Sequence, residues 1–176
     1  MGVPLYDLTV ASYLQTLGAV SGFLDRGLAH CQDNNIDPES IVETRLWDDM
    51  LPFRFQIISV VHHSKGAIEG AKAGVFGPPT ESRPLTYAQL QELVGETRDA
   101  LKALAPADVN ALEGRDVTFQ MGSSFKIPFV AENFLMSFSL PNFYFHASTA
   151  YDILRSKGVP LGKRDFMGAM RMKQAA

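Results

Sequence analysis

The residues best suited to chemistry in this 176-residue sequence are three histidines, two of them adjacent. His146 stands alone in the apolar run NFYFHASTAYDIL (142–154), and His62 and His63 sit together in SVVHHSKG (59–66). An interior histidine can ligate a metal. It can exchange protons near neutral pH. It can also be a polar anchor whose ring nitrogens are satisfied by other groups. Helical spacing puts His146 on one face with Asn142, Phe143, Thr149, Ala150 and Ile153, directed at the interior of the fold. A hydrogen-bonded interior residue ranks first for it, a pocket role second and metal ligation third, because two further good ligands are hard to find. His63 lies at the edge of the inward stripe of its helix. His62 points nearly opposite, toward solvent or a partner subunit.

The remaining chemical candidates are weaker. His30 and Cys31 are neighbours, but consecutive helical residues point about 100° apart, and Cys31 continues an apolar stripe as a buried, inert thiol. Glu43, Asp48 and Asp49 form an acidic group near Trp47, just before a helix start that favours negative charge in any case. There is no glycine-rich phosphate loop, nucleophile elbow or catalytic carboxylate pair.

Composition narrows the classes further. With 46% hydrophobic and 20% charged residues, the chain suits one soluble domain with a full core. A net charge of −3 without a basic cluster argues against nucleic acid. A single cysteine rules out an intrachain disulfide and fits a reducing compartment. The start MGVPLYDLTV lacks a signal-peptide pattern, and the richest apolar region, 129–145, is interrupted by polar residues and Pro141. The expectation is a cytoplasmic protein with no membrane contact.

Four long segments carry the histidines or pack beside them. Residues 4–33 have helical period, with Gly18, Gly22 and Gly27 off the stripe and available for close approach. A short helix begins at Asp37-Pro38-Glu39. The second long helix starts near Pro52 and ends at Gly74, with Phe53, Ile57, Val60, Val61, Ser64, Ile68 and Ala71 inward and Phe55 and Ile58 on the other side. The proline-rich linker VFGPPTESRPL cannot be helical. Thr86 and Gln89 form a capping box for the third helix, and Ala105-Pro106 ends it. Alternation around Gly122-Ser123-Ser124 predicts a β-hairpin. The fourth helix spans about 131–157, kinked at Pro141 and closed by Gly158. The predicted class is therefore all-α: an antiparallel four-helix bundle whose helix 3–helix 4 insertion carries the hairpin.

The segment LPNFYFHASTAYDILRSKGVPLGKRDFMG resembles the C-terminal signature of the domain-of-unknown-function family numbered nineteen ninety-three, in the DinB/YfiT-like superfamily. MLPFRFQ, SKGAIEGAKAG and GPPTES extend the likeness over nearly the whole chain. The resemblance implies a DinB-like bundle, often dimeric, with no established reaction. Metal-binding relatives carry one histidine on the second helix and an HxxxH pair on the fourth. Here Asn142 stands four residues before His146 and Ala150 four after, so that pair is incomplete.

The combined expectation is a single domain binding a small molecule, without metal or other cofactor, in a pocket formed by His146, Asn142, His63, Phe143, Tyr144 and Thr149. Two alternatives stay open: a DinB-type metal-dependent transferase or hydrolase with a degenerate ligand set, and a non-catalytic interaction protein. Phe55, Ile58 and a fourth helix apolar on nearly every side predict a homodimer.

Overall fold

The computed structural model describes residues 2–79 and 84–173, so Thr80 to Arg83 of the proline-rich linker lie outside the described residues. The first helical segment is divided. A one-turn helix α1 (Leu5–Leu8) is separated from α2 (Val10–Asp33) by Thr9, at φ −112° and ψ −77°. The Thr9 hydroxyl donates to the Leu5 carbonyl at 2.6 Å, holding the joint. A short α3 (Glu39–Val42) follows.

The second long helical unit consists of α4 (Phe53–Val61), a π-helical turn (His62–Gly66) and α5 (Ala67–Ala73). Gly74 ends it at φ +77°, a left-handed conformation that glycine adopts without a Cβ penalty. α6 (Tyr87–Lys102) begins with the expected reciprocal cap between Thr86 and Gln89. α7 (Pro106–Asn110) leads to the hairpin β2 (Asp116–Met121) and β3 (Phe125–Val130). The last long unit is α8 (Ala131–Asn133), a second π turn (Phe134–Ser139) and α9 (Leu140–Ser156), followed by the short α10 (Lys163–Met167).

The all-α expectation does not hold. The strand β1 (Val75–Phe76) pairs in parallel with β2, which pairs antiparallel with β3, giving a three-stranded mixed sheet in the order β1-β2-β3. The cause is local and then non-local. After the left-handed turn at Gly74, Pro78 and Pro79 prevent a new helix, so the chain leaves extended. The hairpin edge then supplies the pairing, beginning with the Thr118 amide donating to the Gly74 carbonyl at 2.9 Å.

α4 packs against α9 and α6, and α2 packs against α6 and α9, so the four long units enclose one core. Tyr13, Phe23, Phe53, Phe134 and Phe143 are completely buried in it. Of the three off-stripe glycines in α2, only Gly27 is closely approached: a Cβ there would lie 2.3 Å from the Tyr87 hydroxyl oxygen. Pro141 falls at the start of α9, directly after the second π turn, and the Asn142 side-chain amide donates to the Phe138 carbonyl at 2.7 Å. The proline thus coincides with a rearranged hydrogen-bond ladder, one of the usual sources of a helix distortion.

Candidate functional site

His146 and His63 meet where α9 lies against the second helical unit. Their rings are nearly parallel, 14° apart in plane, with centroids separated by 5.8 Å. His146 reaches this position from α9 and is half-buried. His63 comes from the first π turn and is 7% exposed. Phe55 and Phe145 stand edge-on to His146, at 5.9 and 5.2 Å, while Phe76 and Phe138 flank His63 at 5.6 and 5.8 Å.

A buried glutamine sets the protonation of His146. The Gln56 side-chain amide nitrogen donates to the Leu51 carbonyl at 2.8 Å, which leaves its Oε1 to accept from Nδ1 of His146, also at 2.8 Å. The proton of the neutral ring therefore sits on Nδ1, and Nε2 keeps a lone pair. Gln56 was not among the residues singled out from sequence. Its signal is the spacing Phe53, Gln56, Val60, His63, which threads two polar side chains through an apolar stripe.

His63 has no such support. Its Nδ1 is buried and finds no hydrogen-bond partner among the described residues. Burial pushes His63 down to about 3, with the neighbouring His62 and His146 opposing its charge as well. Burial likewise lowers His146 to about 4, helped by His62. His62 is lowered by burial too, and the Gly77 carbonyl acts against that shift. All three rings are neutral at pH 7.

His62 is not turned to open solvent. It is half-buried, its ring stacks on Phe76 with centroids 4.4 Å apart, and its Nε2 bonds to the Gly77 carbonyl at 2.7 Å. The helical wheel sets it nearly opposite His63, but in the structure the two rings stand edge-to-face with centroids 5.3 Å apart, both against Phe76. What covers His62 is β1 and the residue after it, folded back over that face. Ile58, which the sequence sets with Phe55 off the inward stripe as a face needing cover, is buried on the same flank within the chain itself.

The other residues assigned to a pocket around His146 have different neighbours. Phe143 is buried edge-on against Tyr13 of α2, with centroids 5.0 Å apart. Tyr144 is 39% exposed. The Thr149 hydroxyl donates to the Phe145 carbonyl at 2.8 Å, and the Asn142 amide is committed to Phe138. The structure therefore brings His63 to His146 and adds Gln56, while Phe143 packs toward α2. Cys31 is fully buried, and burial pushes its thiol above the usual range, as does Asp37. In the acidic group, Glu43 pairs with Arg54, and Asp48 and Asp49 are exposed.

A zinc-type centre needs three or four histidine, cysteine or carboxylate ligands. Among the described residues, no group of three or more such side chains is placed to hold an ion. His146 offers Nε2 alone, because Nδ1 donates to Gln56. Among the described residues, the ligand set that the resemblance implies is not assembled. No helix among the described residues is long and apolar enough to cross a membrane.

Comparison with known proteins agrees with this architecture. The crystal structure of a DinB family member protein from Shewanella denitrificans superposes with a TM-score of 0.81 at 26% identity, covering 97% of this chain and 96% of that one. No curated protein matches the chain. The family described as a domain of unknown function, DUF1993, matches residues 5–167. The chain belongs to the DUF1993 family and has a DinB-like fold.

Proposed function

We propose that the His63–His146 pair is the polar floor of a small-molecule site that operates without metal. The observation that carries this reading is the unpartnered Nδ1 of His63, buried beside a His146 whose free lone pair is fixed by Gln56. A buried nitrogen with no partner costs about 1–3 kcal/mol, and a ligand N–H or O–H, or a water that the ligand displaces, relieves that cost. The aromatic rings around the pair suit an apolar ligand body. Binding rather than proton transfer follows from the protonation states. An efficient general base titrates near the working pH, and these rings are held neutral well below it.

The test is a ligand-observed NMR screen of small amides and alcohols, repeated on His63→Leu and His146→Leu. Hits whose binding disappears in both folded variants support the site, and hits indifferent to both overturn it. Elemental analysis after chelator-free purification addresses the metalloenzyme alternative. About one zinc, nickel or iron per chain, lost in His146→Ala, would reverse the metal-free reading.

A homodimer is the accompanying reading. Phe145, adjacent to His146, is 59% exposed, and Met136 on the same helical unit is 45% exposed. Exposed apolar groups of that size along one helical unit favour cover by a second copy. Light scattering at tens of micromolar distinguishes dimer from monomer.

A further inference from the structure

We propose a second ligand site on the outer flank of the second helical unit, for a neutral aromatic molecule carrying one hydrogen-bond donor, recognised by Nδ1 of His62. A groove of about 610 Å³ runs there between α5, β1 and α6. Its volume lies within the range of about 300–1,000 Å³ found for small-molecule pockets. Ile58, Val61 and Leu93 supply apolar walls, and Phe76 and Pro78 close one side. Neither His63 nor His146 lines it, so this inference does not rest on the reading above.

The tautomer of His62 gives the groove its polarity. A carbonyl oxygen only accepts, so the 2.7 Å contact with Gly77 requires the His62 proton on Nε2. In the neutral ring Nδ1 is then an acceptor. Gly66 controls its access. A Cβ at residue 66 would lie 3.3 Å from His62 Nδ1, so the absence of a side chain one turn along leaves that nitrogen open. Gly70, a further turn on, serves the wall: a Cβ there would lie 2.8 Å from a ring carbon of Phe76, so glycine lets β1 settle against α5.

Charge selects a neutral ligand. Lys65 and Glu69, both lining the groove, pair with each other at 2.8 Å, and His62 is uncharged at pH 7. A charged ligand would find no free counter-charge among these groups, whereas a phenol-like or anilide-like donor matches the one open acceptor and buries its ring against the apolar walls.

The experiment titrates the full chain with 2-naphthol and with 2-methoxynaphthalene, which has the same ring system without the donor. Long-range proton–nitrogen NMR follows the His62 ring nitrogens. The expected result is displacement of the His62 Nδ1 resonance by 2-naphthol, with 2-methoxynaphthalene bound at least tenfold more weakly. Gly66→Val should abolish binding. His62→Phe, which keeps an aromatic ring beside Phe76, should erase the preference between the two compounds, and His146→Leu, whose ring touches neither His62 nor Phe76, should leave it intact. Equal affinity for both compounds in the parent protein, no binding of 2-naphthol, or loss of binding in His146→Leu with retention in His62→Phe would each overturn the proposal. Circular dichroism establishes that each variant is folded, and His62→Phe keeps the test decisive if Gly66→Val is not.

Discussion

α2 and α6 contrast with the two helical units that face them. They are continuous α-helices of 24 and 16 residues, and they join by packing: Gly27 makes room for the Tyr87 ring, whose hydroxyl donates to the Leu24 carbonyl at 2.8 Å. The other two units are each interrupted by a π turn, and His62, His63, His146 and Gln56 all lie on them. The two π turns are tied together. Ser139, the last residue of one, donates to the carbonyl of His63 in the other at 2.6 Å, and the Tyr13 hydroxyl bonds to Ser139 at 2.7 Å. Regular helix geometry leaves few backbone groups for such ties, whereas π turns recur where a fold presents functional groups. One half of the molecule holds the fold, and the other displays His62, His63 and His146.

The largest effect expected from this contrast is a dependence of stability on pH that resides in the interrupted half. His63 and His146 titrate near 3 and 4 in the folded chain, below the value of about 6.5 for an unfolded histidine. The unfolded chain therefore binds more protons as pH falls, so this stabilisation is complete above about pH 6.5 and is lost progressively toward pH 4 for His146 and pH 3 for His63. At pH 5 each histidine forfeits about 2 kcal/mol, and the pair about 4 kcal/mol, equivalent to roughly 10 °C in Tm for a chain of this size. Thermal unfolding between pH 7 and 5 measures it. His146→Phe should flatten the slope by about half, and an unchanged slope would remove the histidine pair from the account.

A smaller effect belongs to the regular half. Gly27→Ala forces a Cβ against the Tyr87 hydroxyl, and overpacking of this kind costs about 2 kcal/mol even after alanine's helix propensity is counted. Adding Tyr87→Phe removes the clashing oxygen, so the double variant should recover about half of the loss, as a coupled pair does. Urea unfolding of the two single variants and the double variant provides the cycle. Additive losses would mean that the cost of Gly27→Ala does not come from the Tyr87 hydroxyl, and a net gain in Gly27→Ala would mean that helix propensity alone decides that position.

The same division explains what was legible in the sequence. The reciprocal Thr86–Gln89 cap, the left-handed glycines 74 and 158 and the turn at Gly122 all depend on residues a few positions apart, and a sequence displays such relations directly. The strand β1 is two residues long and exists because β2 offers an edge some forty positions later, which no window around Val75 contains. The cover over His62 was hidden for the same reason. The histidine spacings on the second and fourth helices could be read as helix faces, but the Gln56–His146 bond joins positions 90 residues apart. The π turns left no recognised mark either, apart from a proline whose effect was expected as a kink.

Ser139→Ala tests the tie between the two π turns. It leaves the buried Tyr13 hydroxyl and the His63 carbonyl without their shared partner, at a cost of about 2 kcal/mol. Because the carbonyl belongs to His63 itself, the His63 and His146 ring resonances should move, while amide signals across α6 stay in place. A loss of stability with unmoved histidine resonances would make Ser139 a core residue with no influence on the pair.

The smallest expected effect sharpens the comparison from the opposite side. Thr86 caps α6 at an exposed position, accepting from the Gln89 amide at 3.2 Å, while the Gln89 side chain accepts from the Thr86 amide at 2.9 Å. Thr86→Ala removes one of these bonds and should cost about 1 kcal/mol, the usual value for a lost N-cap. If α6 only stabilises, this loss will appear in the unfolding midpoint and nowhere else: the histidine resonances, their titration and any 2-naphthol binding will match the parent protein. α6 does contribute Leu93 to the groove beside His62, two turns beyond the cap, so the variant also reports whether a frayed helix start reaches that wall. Movement of the His62 signal in Thr86→Ala would show that the two halves are not separable at α6.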